Sequence, residues 1–185
     1  MDLSLRSLRS VIFAFFSIWI IGVAIIKVAS PTPDFSATFP DECPPDSQNC
    51  SGFGIWDHRT EQTEPLAFSG SIEEAMDSVK EWASDLNRAS IIHSNLTSIH
   101  IVDVTPFLRF EDDVFIHIEC MEGNTLIHAR SSSRVGISDL NVNPNRLDSL
   151  ISHMKFGGSG SPGCCLLYTS PSPRDCDRSR MPSSA

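Results

Sequence analysis

The chain has 185 residues, with Lys+Arg 14 against Asp+Glu 23 and a formal net charge of −9. That length excludes a large multidomain enzyme, and the negative balance excludes nucleic acid as an electrostatic partner. At 41% hydrophobic and 20% charged residues, the composition supports a packed core and excludes wholesale disorder.

The charge is unevenly spread. Arg6, Arg9 and Lys27 against Asp2 leave residues 1–30 at +2; Arg174, Arg178 and Arg180 against Asp175 and Asp177 leave residues 157–185 at +1; residues 31–156 therefore carry −12. An acidic body of this kind is repelled by anionic lipid surfaces.

Val11 to Ile26 is uncharged and apolar, and Val28 and Ala29 extend it past Lys27. The stretch approaches the ~20 residues that cross a bilayer. Lys27 can snorkel to the interface, and Arg6 and Arg9 place the N-terminus on the cytosolic side. The segment reads as an uncleaved signal anchor, with a cleaved signal peptide as the alternative. The rest of the chain is then expected on the non-cytosolic side of a plastid or thylakoid, secretory or bacterial inner membrane.

Residues 31–70 read as an irregular arm, because Pro31, Pro33, Pro40, Pro44 and Pro45 interrupt any helix or central strand. Cys43 and Cys50 close a short loop that oxidises readily outside the cytosol; a pair of zinc ligands is the alternative. The folded core is expected over residues 71–156. Ser71-Ile-Glu-Glu74 is a capping box. Ile72, Ala75, Met76, Val79, Trp82, Ala83 and Leu86 then recur on one helical face. Strands are predicted over Ser90–Ser94, Ser98–Val104 and Phe107–Phe110, and Val114–Cys120 and Thr125–Arg130 alternate as a hairpin around Gly123-Asn124. Two hairpin registers keep the apolar face together: one sets His117 opposite His128, the other sets Glu119 opposite His128. A last helix starts with Asn143 as cap and Pro144 in its first turn, and Leu147, Leu150, Ile151 and Met154 form its apolar face. The expected class is α+β: an antiparallel sheet of three to four strands, two helices on one face, and one transmembrane helix in front.

Ser131-Ser-Ser-Arg-Val-Gly-Ile-Ser-Asp-Leu-Asn-Val-Asn-Pro-Asn-Arg146 resembles the hallmark of the domain-of-unknown-function 1499 family, S-x-S-R-x-G-x-S-D-[LF]-G-x-N-x-x-R. Ser131, Ser133, Arg134, Gly136, Ser138, Asp139, Asn143 and Arg146 match it. Phe110-Glu-Asp-Asp-Val114 is similar to the family's F-x-D-D-[VL] element. Cys43-Pro-Pro-Asp-Ser-Gln-Asn-Cys50 is similar to its C-P-x-S-P-N-C entry, with an altered interior. The resemblance covers about residues 40–156. It implies a shared fold, often beside a membrane anchor, in bacterial and plastid-bearing lineages; it implies no particular activity. Asn141 stands where the family usually has Gly, and Asn tolerates left-handed backbone well.

Residues 157–163 are linker-like, and residues 164–185 resemble translated library or vector sequence. Residues 157–185 are therefore read as a disordered, artefactual tail, which takes Cys164, Cys165 and Cys176 out of the cysteine count and leaves Cys120 as a lone thiol.

The candidate ligand-binding set is Ser131, Ser133, Arg134, Ser138, Asp139, Asn143 and Arg146. One reading makes it an anion pocket of guanidinium forks and helix-start amides. The other has Arg134 pair with Asp139 or Asp112 while the serines satisfy loop backbone. Asp112 and Asp113 point to opposite faces if they lie on a strand, which argues against a shared acid–base site. His117, His128 and His100 are weak as a metal set, and no nucleophile elbow is present. Asn49 and Asn95 fit the glycosylation sequon, relevant in a secretory lumen. The sequence thus assigns no catalytic residue, metal or cofactor. The expected function is binding or assembly at a membrane contacted through residues 11–29. It would recognise a membrane-protein partner or a small anionic ligand through the Arg134–Arg146 loop. A small hydrolase using Asp112, Asp113 or Asp139 is the alternative.

Overall fold

The computed structural model describes residues 2–30, 42–156 and Cys164. It is an α+β arrangement of three α-helices and an antiparallel sheet of six strands. The sheet is larger than the three to four strands expected.

Helix α1 (Asp2–Ala29) holds a stretch, Ser7–Ala29, long and apolar enough to cross a membrane, and the rest of the protein buries none of its most apolar window. Helix α2 (Ile72–Asp85) begins where the capping box places it. The Ser71 hydroxyl accepts from the Glu74 amide at 3.2 Å, and the Glu74 carboxylate accepts from the Ser71 amide at 2.9 Å. Its predicted stripe is buried: Ile72, Ala75, Met76, Val79, Trp82 and Ala83. Each large member contributes ~1.5–3 kcal/mol by leaving water.

The strands are β1 (Cys50–Phe53), β2 (Leu66–Phe68), β3 (Ala89–Ser94), β4 (Ser98–Val104), β5 (Glu111–Met121) and β6 (Asn124–Ser133). Their order is β1-β6-β5-β4-β3, with β2 also on β6. The arm read as irregular thus supplies two strands; its residues 31–41 lie outside the described residues. Both of its strands are short and pair only with β6, far along the chain. Local periodicity cannot reveal them. Phe107–Phe110 is a turn rather than a strand, as Pro106 would lead one to expect.

The β5–β6 hairpin takes the register that opposes His117 to His128 and Ile118 to Ile127. Glu122 and Gly123 both have positive φ, 52° and 80°. A two-residue turn of that kind matches the twist of the strands it joins and fixes the register. Val114, Ile116 and Ile118 then face α2 and helix α3 (Val142–Phe156), whose Leu147, Leu150, Ile151 and Met154 are buried in the same core as the α2 stripe.

Two disulfides join described residues. Cys43 joins Cys50, as the loop suggested. Cys120 joins Cys164, so Cys120 is not a lone thiol and Cys164 is not outside the fold. Cys164 is also buried against the core. The remainder of the predicted tail, 157–163 and 165–185, lies outside the described residues.

Candidate functional site

Strand β5 opens with three consecutive carboxylates, Glu111, Asp112 and Asp113, and all three are buried. Successive strand residues face opposite sides of a sheet, so each acid needs a partner on its own side. On the face away from α2 and α3, Arg134 answers both odd positions. Its Nε donates to Asp113 Oδ2 at 2.7 Å, its Nη2 donates to Asp113 Oδ1 at 2.8 Å, and its Nη1 pairs with Glu111. His100 Nε2 adds a 2.7 Å contact to Asp113 Oδ1 and stacks on Phe115. Burial raises the Asp113 pKa, but Arg134 and His100 outweigh it and hold the carboxyl below its ordinary range. The same pairing pushes the Arg134 guanidinium up.

On the helix face, Arg146 of α3 answers Asp112. Arg146 Nη2 donates at 2.8 Å to both Asp112 Oδ2 and Asp103 Oδ2, and Nη1 donates to Ser131 Oγ at 2.9 Å and Asn143 Oδ1 at 2.8 Å. The Ser131 hydroxyl donates to Asn143 Oδ1 at 2.6 Å, and the Asn143 amide donates to the Asn49 carbonyl and to Ser133 Oγ. One oxygen is left over. Asp112 Oδ1 is buried and has no hydrogen-bond partner among the described residues, in a residue that is 1% exposed. Such a group costs ~1–3 kcal/mol, and in a native protein it calls for an explanation.

The loop between β6 and α3 is clamped from outside. Asn49 Nδ2 donates to the Gly136 carbonyl at 2.7 Å, and the Asp139 amide donates to the Gln48 carbonyl. The Cys43–Cys50 loop is therefore the brace of the hallmark segment. Asp139 receives Arg59 Nη2 at 3.1 Å on Oδ1 and the Asn143 amide at 3.1 Å on Oδ2. Asp139, not Asn143, thus satisfies the amides at the start of α3. Burial raises the Asp139 pKa, and Arg59 with the Asn143 and Asn141 amides more than reverses it.

Between this loop and the turn after β4 lies a cleft of about 300 Å³. Pro106, Phe107, Leu108, Val135 and Leu140 are among its walls, and its carboxylate and hydroxyl residues are Thr105, Asp112, Ser133, Ser138 and Asp139. Of its two carboxylate residues, Asp139 has both oxygens engaged, and Asp112 has one engaged and one, the buried Oδ1, without a partner among the described residues.

The structure therefore divides the predicted set. Ser131, Ser133, Asn143 and Arg146 converge around Asp112. Ser138 and Asp139 lie on the cleft rim. Arg134 sits on the other face of the sheet, with Asp113 and not with Asp112 or Asp139. Both guanidinium groups pair with carboxylates inside the protein, the second of the two readings in kind, though the partner of Arg134 is Asp113. Asp103, Asn49, Arg59 and Phe107 also build the site. Asn49 carried a sequon signal and a place in the Cys43–Cys50 resemblance, Phe107 read as strand, and nothing local marks Asp103 or Arg59.

His117 and His128 stack at 5.9 Å between ring centroids. His128 Nδ1 accepts from the Ile55 amide at 3.1 Å, which leaves Nε2 to donate to Glu119 at 3.0 Å. Among the described residues, no group of three or more His, Cys, Asp or Glu side chains is placed to hold a metal ion.

No curated protein and no solved structure matches the chain. The family model described as "Protein of unknown function (DUF1499)" matches residues 33–154, which is most of the chain and takes in both cleft loops, all three β5 acids and the Cys43–Cys50 brace: the chain belongs to that family.

Proposed function

We propose that the chain is a membrane-anchored, non-cytosolic binding domain whose ligand is a small molecule with an apolar body and one hydrogen-bond-donating group, a hydroxyl or an amine. The observation that carries this reading is the unpartnered Asp112 Oδ1, buried in a residue that borders a cleft with several apolar walls. Arg146, which is itself anchored on Asp103, holds the Asp112 side chain in place, so a donor entering the cleft would meet a fixed acceptor. The Arg134–Arg146 loop forms one wall and the 105–110 turn the other. The anchor is α1, whose bare apolar surface suits lipid rather than protein, and the Cys43–Cys50 disulfide suits an oxidising compartment.

The test is the mass of the purified full chain, native and denatured. A native excess that disappears in Asp112→Asn and in Val135→Trp, which fills the cleft, is the expected result. Unfolding midpoints of both variants separate loss of ligand from loss of fold. Equal native and denatured masses for the wild type would sink the small-molecule reading and leave a protein-interaction domain.

A further inference from the structure

The turn after β4 and the loop after β6 end in apolar side chains that nothing covers. Phe107 is 80% exposed, Ile137 92% and Leu140 88%. Isolated exposed apolar residues are ordinary, but here they flank one cleft at one end of the sheet. That end also carries α1. Trp19 Nε1 donates to the Phe107 carbonyl at 2.9 Å, and Lys27 pairs with Glu111. Trp19 and Lys27 share a second cleft, of about 390 Å³, with Val104, Arg109 and Glu111. Lys27 ends the apolar stretch of α1, and Trp19 lies ~12 Å further into it at 1.5 Å per residue. Along the helix axis, a turn in contact with Trp19 therefore lies on the bilayer side of Lys27. Cations lie on the turn's side: Arg109 is exposed on the turn itself, and exposed Arg88 donates to the Val104 carbonyl. Apolar tips beside Arg and Lys match an acyl layer beneath lipid phosphates.

We infer that Phe107, Ile137 and Leu140 form a second membrane contact, inserting into the same leaflet that receives the end of α1 and holding the sheet's β4–β5 edge down on the bilayer. The partner is lipid, not protein, because the surface is continuous with the helix that requires lipid. The −12 charge of residues 31–156 makes a zwitterionic bilayer the better host. The contact rests on the tips and on α1, not on what the Asp112 cleft binds.

Strand β5 supplies its own control. It begins beside the tips at Glu111 and ends at Met121, ~33 Å away at about 3.3 Å per residue. Met121 is 53% exposed. The full chain is reconstituted into phosphatidylcholine vesicles with and without brominated acyl chains, as wild type, Ile137→Trp, Leu140→Trp and Met121→Trp. Emission added over wild type at positions 137 and 140 is expected to be blue-shifted and lost in brominated vesicles, while that added at 121 persists. All substituted sites are exposed, and matching unfolding midpoints confirm that each variant folds. Added emission at 137 and 140 that survives bromination as well as that at 121 would overturn the inference.

Discussion

Arg146 and Asp112 are bound to each other across the helix–sheet boundary by a 2.8 Å hydrogen bond, and only one of the two Asp112 oxygens takes part. The guanidinium also holds Asp103, Ser131 and Asn143. It is thus the hub of a buried polar network and at the same time the group that engages one Asp112 oxygen and leaves the other, Oδ1, without a hydrogen bond among the described residues.

Removing that hub leaves two carboxylates, Asp103 and Asp112, without their countercharge. Breaking a buried pair from one side costs ~3–5 kcal/mol. Arg146→Met should therefore lower the stability of the chain by about that amount in urea titration, and Arg146→Met combined with Asp112→Leu should recover part of the loss. A single variant as stable as wild type would show that the network carries no stability.

Stability should fall with pH in two separate windows. Burial, then the neighbouring His128, hold the His117 pKa below its ordinary value of 6.5, against the Thr97 carbonyl and Glu119. The unfolded chain then binds that proton more readily than the folded one, so stability present above pH 6.5 declines as pH falls from there toward the folded pKa. Asp113 and Asp139 lie below their ordinary 3.8. The stability they contribute above 3.8 is lost as pH falls through their folded values. Urea midpoints across pH should show both declines, and His117→Gln should erase the upper one alone.

Gly54 is required by its neighbour as well as by its backbone. Its φ is +73°, and an added Cβ would sit 2.3 Å from His128 Nδ1. The Ile55 amide donates to the same nitrogen. Gly54→Ala should destabilise by ~1–3 kcal/mol through overpacking and left-handed strain. It should do so without changing disulfide content, as read by denaturation and by mass.

The two disulfides should appear as separate crosslinked peptides, Cys43–Cys50 and Cys120–Cys164, in a non-reducing digest. Replacing Cys43 and Cys50 together by Ala should cost ~2–3 kcal/mol, the loop-closure entropy of so short a ring. Because that ring braces the Gly136 and Asp139 backbone, the double variant should also loosen hydrogen-exchange protection of the Asp139 amide. Unchanged protection there would separate the brace from the loop.

Elements whose pattern is local were legible beforehand. The capping box located the start of α2, 3.6-residue spacing picked out its buried face, and β4 and the hairpin strands alternated with period two. The hallmark segment identified the family. The divided loyalties of Asp112 and Asp113 followed from strand alternation alone. What the sequence could not contain was the choice among distant partners. Arms of three and four residues became β1 and β2 only because β6 offered them an edge. Cys120 found its partner 44 residues on. Arg134 and Arg146, neighbours in one sixteen-residue motif, were sent to opposite faces of the sheet by the acids awaiting them there. Backbone and helix-face preferences act over a few residues and are written in the chain locally. A buried charge, by contrast, must be matched wherever the fold brings its countercharge, and that matching left Asp112 Oδ1 open while it closed both guanidinium groups.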